Sequence, residues 1–347
     1  MATEVTRWLD KLENAVDLDW EHRKLELWKR FLDFKPTKSG FKISTRDGGS
    51  QPGEWPKVLV NDAINDMGKM LLQQLAPVYT ATCLRTLDIP NIRCNYGTGI
   101  LASLFGPELF WMDAALDTLP TVKPFGDEAV IDKLLNAGVP SLQTGFGGKA
   151  FETAEYFKEA LAPYPKLREI IWIYHPDLQG PVDIMELLWG SEMYVAFYSC
   201  PDKIKAFLDL ITRTYIEYMK AWLRVVPEKD PVYFAHWARL LKGHIMLRDD
   251  SIVNLSPEMY KEFVKPYDER LLREFGTGAI HSCGHIDHCV GIMTDSTVLT
   301  ALNMSQPELN DMKKIHKAVV GKGKILDCPY NEAKMKGLKL DKGVLLK

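Results

Sequence analysis

A repeated change of hydrophobic period limits what this chain can fold into more than any other feature. From about residue 90 onward, short runs rich in β-branched and aromatic residues alternate with longer stretches whose apolar side chains recur at helical spacing. The runs that read as strands begin at Ile92, Leu119, Ile170, Val232, Ile245, Ala279, Val298 and Lys324. Helical patterns lie between them, over Asp127 to Asn136, Phe151 to Leu161, Asp202 to Leu223, Pro257 to Phe275 and Glu308 to Val320. Such alternation predicts an α/β fold of right-handed βαβ units on a parallel sheet. Eight units would close a (β/α)8 TIM barrel, with a doubly wound sheet as the alternative. In a barrel, reactive groups belong at the C-terminal ends of strands and in the loops after them.

Apolar residues at helical spacing in the first 35 positions (Trp8, Leu12 and Val16, then Leu25, Trp28 and Leu32) predict one or two amphipathic helices ahead of that domain. A Gly/Ser/Pro-rich stretch from Asp47 to Gly53 follows and reads as a linker. The expected organisation is therefore a helical extension over 1–46 and a barrel over 54–347. Forty-three basic against 46 acidic side chains, with no long basic run, argue against a nucleic-acid partner. Six cysteines without paired spacing point to reduced thiols or metal ligands rather than a disulfide framework. The charged N-terminus lacks the apolar core of a signal peptide, and no apolar run approaches the ~20 residues that span a bilayer. A cytoplasmic enzyme with no membrane partner is expected.

The densest group of metal-capable side chains is His281-Ser282-Cys283-Gly284-His285-Ile286-Asp287-His288-Cys289, at the end of the run Gly278-Ala279-Ile280. Residues two apart on a strand project to the same side, so His281 and Cys283 aim together and supply half of a zinc site. His285, His288 and Cys289 begin the next helix and either complete the site or line its rim. Cys328 also ends a predicted strand and is the third thiol chosen by position, an ordinary core cysteine being the alternative. Arg248-Asp249-Asp250 closes the run from His244, and alternation sends one carboxylate toward the mouth and the other toward the helices. An inward Asp250 could bind an N–H-bearing substrate or act as acid or base, with Arg248 beside it. Asn95-Tyr96-Gly97-Thr98-Gly99 fits a loop that admits a substrate carboxylate with Arg93, and His175 and Gln179 follow another strand end. Gly145-Phe146-Gly147-Gly148-Lys149 lacks the phosphate-loop pattern and reads as a flexible loop.

Three segments carry a family likeness: Gln179-Gly180-Pro181-Val182-Asp183-Ile184, Leu255 to Tyr267, and Ile280-His281-Ser282-Cys283-Gly284. In their order the chain resembles the uroporphyrinogen decarboxylase superfamily over roughly residues 90 to 330. The resemblance implies a (β/α)8 barrel with its pocket at the C-terminal mouth. That superfamily includes corrinoid-dependent methyltransferases, whose zinc-binding His-x-Cys maps onto His281 and Cys283. There the metal holds a substrate thiol as thiolate, and a methylated corrinoid (cobalamin) protein donates the methyl group. Those enzymes take a further cysteine much nearer their C-terminal end, after more chain than this one has, so Cys328 stands in by position alone. The arginine-rich N-terminal motif of the true decarboxylases of porphyrin biosynthesis is absent. Asp250 facing pyrrole N–H groups keeps a metal-free lyase as the alternative, and a non-catalytic corrinoid- or small-molecule-binding protein is a third reading. The expected partners are a small-molecule substrate, a corrinoid protein and a second copy of the chain.

Overall fold

A computed structural model describes residues 2–37, 40–43 and 49–346. Asp47 and Gly48 of the expected linker lie outside the described residues. The described strands are β1 (Phe41–Lys42), β2 (Asn91–Ile92), β3 (Leu109–Phe110), β4 (Thr121–Val122), β5 (Trp172–Ile173), β6 (Tyr233–His236), β7 (Arg239–Lys242), β8 (Ile245–Arg248), β9 (Gly278–Ser282), β10 (Leu299–Met304), β11 (Ile325–Cys328) and β12 (Val344–Leu346). Six of them form one parallel sheet in the order β1-β12-β11-β10-β9-β8. β2 and β5 make a separate parallel pair.

Single hydrogen bonds, rather than ladders, tie that pair to the sheet. Leu87 N–H donates to Ile43 O just beyond β1 at 3.1 Å, and Gly180 N–H donates to Arg248 O at 2.6 Å. Met246 N–H on β8 donates to His175 Nε2 at 3.0 Å, an imidazole standing where a strand carbonyl would be. Among the described residues, the ladder is open between β1 and β2 and between β5 and β8.

Alternation along the strands produces two cores. Met246, Ala279, Ala301, Ile325 and Leu345 face one cluster, which the helix Leu18–Leu32 closes with Trp28, Phe31 and Leu32. Ile245, Leu247, Ile280, Leu302, Leu326 and Val344 face the other, larger cluster, shared with the surrounding helices. The helix Ala2–Ala15 contributes Val5, Trp8, Leu9 and Leu12 to that larger cluster. Asp17, Asp127, Ser256 and Asp311 each cap a helix through a side-chain oxygen that accepts an otherwise unpaired backbone N–H. No helix among the described residues is long and apolar enough to cross a membrane.

Three local expectations differ from what is observed. The Leu119 run becomes β4 of an antiparallel β3–β4 hairpin, and the Val232 run becomes β6 of an antiparallel β6–β7 hairpin, so neither joins the parallel sheet. Phe234, Leu240 and Leu241 of the second hairpin are buried against the inner face of that sheet. Its apolar character therefore reflects insertion into the core, which period alone does not distinguish from a sheet strand. Gly145 to Gly148 open the helix Gly145–Leu161 instead of forming a loop. A Cβ on Gly147 would stand 2.4 Å from Leu104 Cδ2 and one on Gly148 2.4 Å from Gln143 O, so these glycines permit close packing rather than flexibility.

β8 and β9 carry most of the residues considered below, and Gly278 keeps them together. A Cβ at Gly278 would lie 2.3 Å from Ile245 O on the neighbouring backbone. Gly278→Ala should therefore destabilise the chain by about 2–4 kcal/mol, measured by urea unfolding; an unchanged midpoint would show that the two strands can part without cost.

Candidate active site

The inward-facing side chains are apolar through the middle of the sheet and turn polar at its C-terminal edge. Arg248 on β8, His281 on β9, Asn303 on β10 and Asp327 on β11 are mutual neighbours in the strand register, and all four are buried. Two residues further along, Asp250 and Cys283 continue the inward positions of β8 and β9. A one-residue slip would replace this row with Leu247, Ile280, Leu302 and Leu326.

His281 Nε2 lies 3.3 Å from Cys283 Sγ and 3.7 Å from Asp250 Oδ1. One ligand atom from each residue falls within 4.8 Å of the other two. Asp250 Oδ1 also accepts the Cys283 backbone N–H at 2.8 Å, which locks the carboxylate beside the thiol. His281 Nδ1 pairs with Asn303 Oδ1, an acceptor, so Nδ1 carries the proton and the Nε2 lone pair points at the other two groups. Asn303 Nδ2 in turn donates to Asp327 Oδ2, and Arg239 neutralises Asp327. Burial holds the His281 pKa below its ordinary value, keeping the imidazole neutral. Burial pushes the Cys283 thiol up, as does the nearby Asp250 charge.

His281 lines a cavity of about 600 Å³ together with Asn91, Arg93, Tyr174, Trp237 and Arg239 among others. Arg93 and Arg248 both pair with Asp177, and Arg239 pairs with Asp327. With Asp250 beside His281, three carboxylates face the three guanidiniums. On the other side of Asp250, a second cavity of about 450 Å³ is lined by Gln179, Asp183, Glu186, Asp250 and Ser251, with no basic residue. Asp183 accepts from Gln179 Nε2 and from the N–H groups of Asp250 and Ser251, fixing the loop after β8.

The remaining sequence candidates fall elsewhere. Cys328 is not brought to the group: it follows Asp327 by one residue, so alternation turns its thiol into the larger core, where burial raises its pKa. His175 is fully buried with both ring nitrogens spent on the backbone, Nδ1 to Pro176 O at 2.8 Å and Nε2 to Met246 N–H; burial lowers its pKa to about 4. The Tyr96 hydroxyl bonds Thr153 Oγ1 at 2.7 Å inside the core, and Asn95 N–H lies 3.3 Å from Met70 Sδ. His288 bonds Leu255 O and Cys289 is buried, while His285 is exposed, so none of the three joins His281.

Asp177, Asp183, Trp237, Arg239, Asn303 and Asp327 were not singled out by the sequence. Asn303 and Asp327 follow from strand register, once it is known; Trp237 has no local signal. It forms, with Ala238, a two-residue turn between the paired residues His236 and Arg239. Both turn residues are left-handed, at φ 47° and 63°, as a type I′ turn requires. Neither is glycine or asparagine, and the conformation costs about 1–2 kcal/mol per residue. Strain of this kind persists where the surroundings over-determine it.

No family model and no curated protein sequence matches the chain. Among solved structures, a methyltransferase from Methanosarcina mazei superimposes with a TM-score of 0.63 at 17% identity, covering 93% of this chain and 91% of that one. The two chains share one fold. The likeness reaches well beyond the sequence segments singled out above, taking in most of both chains.

Asp249 follows the opposite alternation from Asp250, as expected, and enters the helix layer. Its carboxyl meets that of Asp268, and both are buried with no other donor in reach. Burial raises both pKa values, and one proton shared between the two satisfies the pair. A folded-state value above the ordinary 3.8 means that the native state holds an extra proton, so stability falls as pH rises from about 4 through neutrality. Asp268→Asn keeps one hydrogen bond without the proton and should flatten that decline, followed as thermal midpoints between pH 5 and 8; an unaltered slope would assign the proton elsewhere.

Proposed function

We propose that this protein is a (β/α)8-barrel methyltransferase of the uroporphyrinogen decarboxylase superfamily that uses zinc to activate a small thiol. The observation that carries the reading is the convergence of one imidazole nitrogen, one thiol sulfur and one carboxylate oxygen at the strand ends, where His281 lines one cavity and Asp250 another. The likeness in fold to a methyltransferase supports it.

The donor set fits the metal. Catalytic zinc sites use three protein ligands drawn from His, Cys and Asp/Glu, with a further position left for substrate. The hydrogen bond from Nδ1 to Asn303, itself held by Asp327, is the outer support that a zinc-binding histidine ordinarily has. Bound there, zinc would lower the pKa of a substrate thiol and present it as a nucleophile at neutral pH. His281 holds its lone pair ready because Asn303 takes the other nitrogen. Cys283 gives up its proton to ligate, and Asp250, fixed by the Cys283 N–H, offers a charge without reorganising. Arg93 and Arg239, which line the cavity beside His281, suit a substrate bearing a carboxylate or another anionic group. A methylated corrinoid protein as donor belongs to the same proposal and rests on the sequence resemblance.

The rival reading, a lyase with Asp250 facing the pyrrole N–H groups of a multiply carboxylated tetrapyrrole, meets an obstacle. Asp183 and Glu186 line the cavity beside Asp250, and no basic residue there would offset the repulsion of substrate carboxylates.

Protein purified without chelators should contain one zinc per chain. His281→Ala should abolish both that zinc and methyl transfer while leaving the circular dichroism unchanged. Because the Cys283 thiol is protonated at neutral pH, its proton competes with the metal, and zinc affinity should rise about tenfold per pH unit there. Retention of zinc by His281→Ala, or an affinity indifferent to pH, would remove the site.

A further inference from the structure

The strained β6–β7 turn delivers one side chain to the metal-capable group. The Trp237 ring centroid lies 4.9 Å from that of His281, with the two planes at 88°. The same indole carries the Arg248 guanidinium over its face, 4.2 Å from the centroid. Arg248 and His281 are direct cross-strand neighbours on β8 and β9, so a guanidinium is built in beside an imidazole meant for a cation. Trp237 and Asp177 are what hold that guanidinium in place.

The turn is tied down on both sides. Trp237 O accepts from Arg239 Nη1 at 2.6 Å, and Ala238 O accepts from Ile89 N–H at 2.9 Å. Arg239 also holds Asp327, which orients Asn303, which fixes the His281 tautomer. His281 is therefore reached from the hairpin by two routes: the polar chain from Arg239, acting on Nδ1, and the indole, packed against the ring.

We propose that Trp237 is a positioning residue for the site: by fixing the plane of the His281 ring it keeps Nδ1 against Asn303 Oδ1, which selects the tautomer, and it keeps the Arg248 charge stacked on its own ring instead of beside the metal. This explains why the hairpin enters the core and why its tip keeps two left-handed residues that are not glycine. The metal part of the inference rests on the zinc reading above; the orientation of His281 does not.

The test compares Trp237→Leu, which fills space without an aromatic face, with Trp237→Phe, which retains one. Zinc affinity is measured by chelator competition, and the His281 ring tautomer by ¹⁵N NMR on metal-free protein at neutral pH. Trp237→Leu should weaken zinc binding by tenfold or more and give mixed tautomers. Trp237→Phe should restore a single tautomer and most of the affinity. Wild-type affinity together with a single tautomer in Trp237→Leu would overturn the proposal. If the wild-type protein takes up no zinc, the metal reading fails, and the tautomer comparison still decides the role of Trp237.

Discussion

Four parallel strands held in register, β8 to β11, put an arginine, a histidine, an asparagine and an aspartate side by side at the sheet's C-terminal edge. Everything chemical about the molecule depends on that row. Backbone hydrogen bonds set the strand spacing, and the pleat sets which side chains face inward. The inward apolar side chains that precede the row, Met246, Ala279, Ala301 and Ile325, pack with Leu345 into one buried cluster. Polar groups at such an edge have nowhere to turn except toward one another, which is why His281, Asn303, Asp327 and Arg239 form a single connected chain of contacts.

The site is polarised. Arg93 and Arg239 line the cavity beside His281, whereas Asp183, Glu186 and Asp250 line the other. Burial sharpens this by keeping His281, His175 and His236 neutral, because burying a charge costs more than leaving the ring uncharged. Charge at the mouth thus comes from the arginines and carboxylates, leaving the one imidazole that faces Cys283 and Asp250 free to act as a ligand.

Much of this was legible before the fold was known. The spacing of His281 and Cys283 placed both on one strand face, and the same rule separated Asp249 from Asp250. Arg93 follows β2, and Gln179 lies in the loop between β5 and the helix Pro181–Trp189. The same rule also excludes Cys328, since Asp327 takes the inward position on β11, but that judgement needs the strand's phase relative to its neighbours. His175 was misleading because a histidine after a strand looks the same whether its nitrogens meet a substrate or a backbone amide. The hairpins at residues 109–122 and 233–242 were misleading for a related reason: an apolar run of strand length does not say which partner it pairs with, or in which direction.

What the chain's order of residues determined alone is local: where helices begin, which positions share a face, and which short segment holds metal-capable groups. Those follow from interactions among neighbours a few residues apart. Tertiary structure alone decided that Asp250, 31 positions before His281, would supply the third ligand atom, that Asn303 would choose the tautomer, and that an inserted hairpin would bring Trp237 to the ring. Such contacts join residues whose separation along the chain carries no period, so only the register and packing of distant strands can set them.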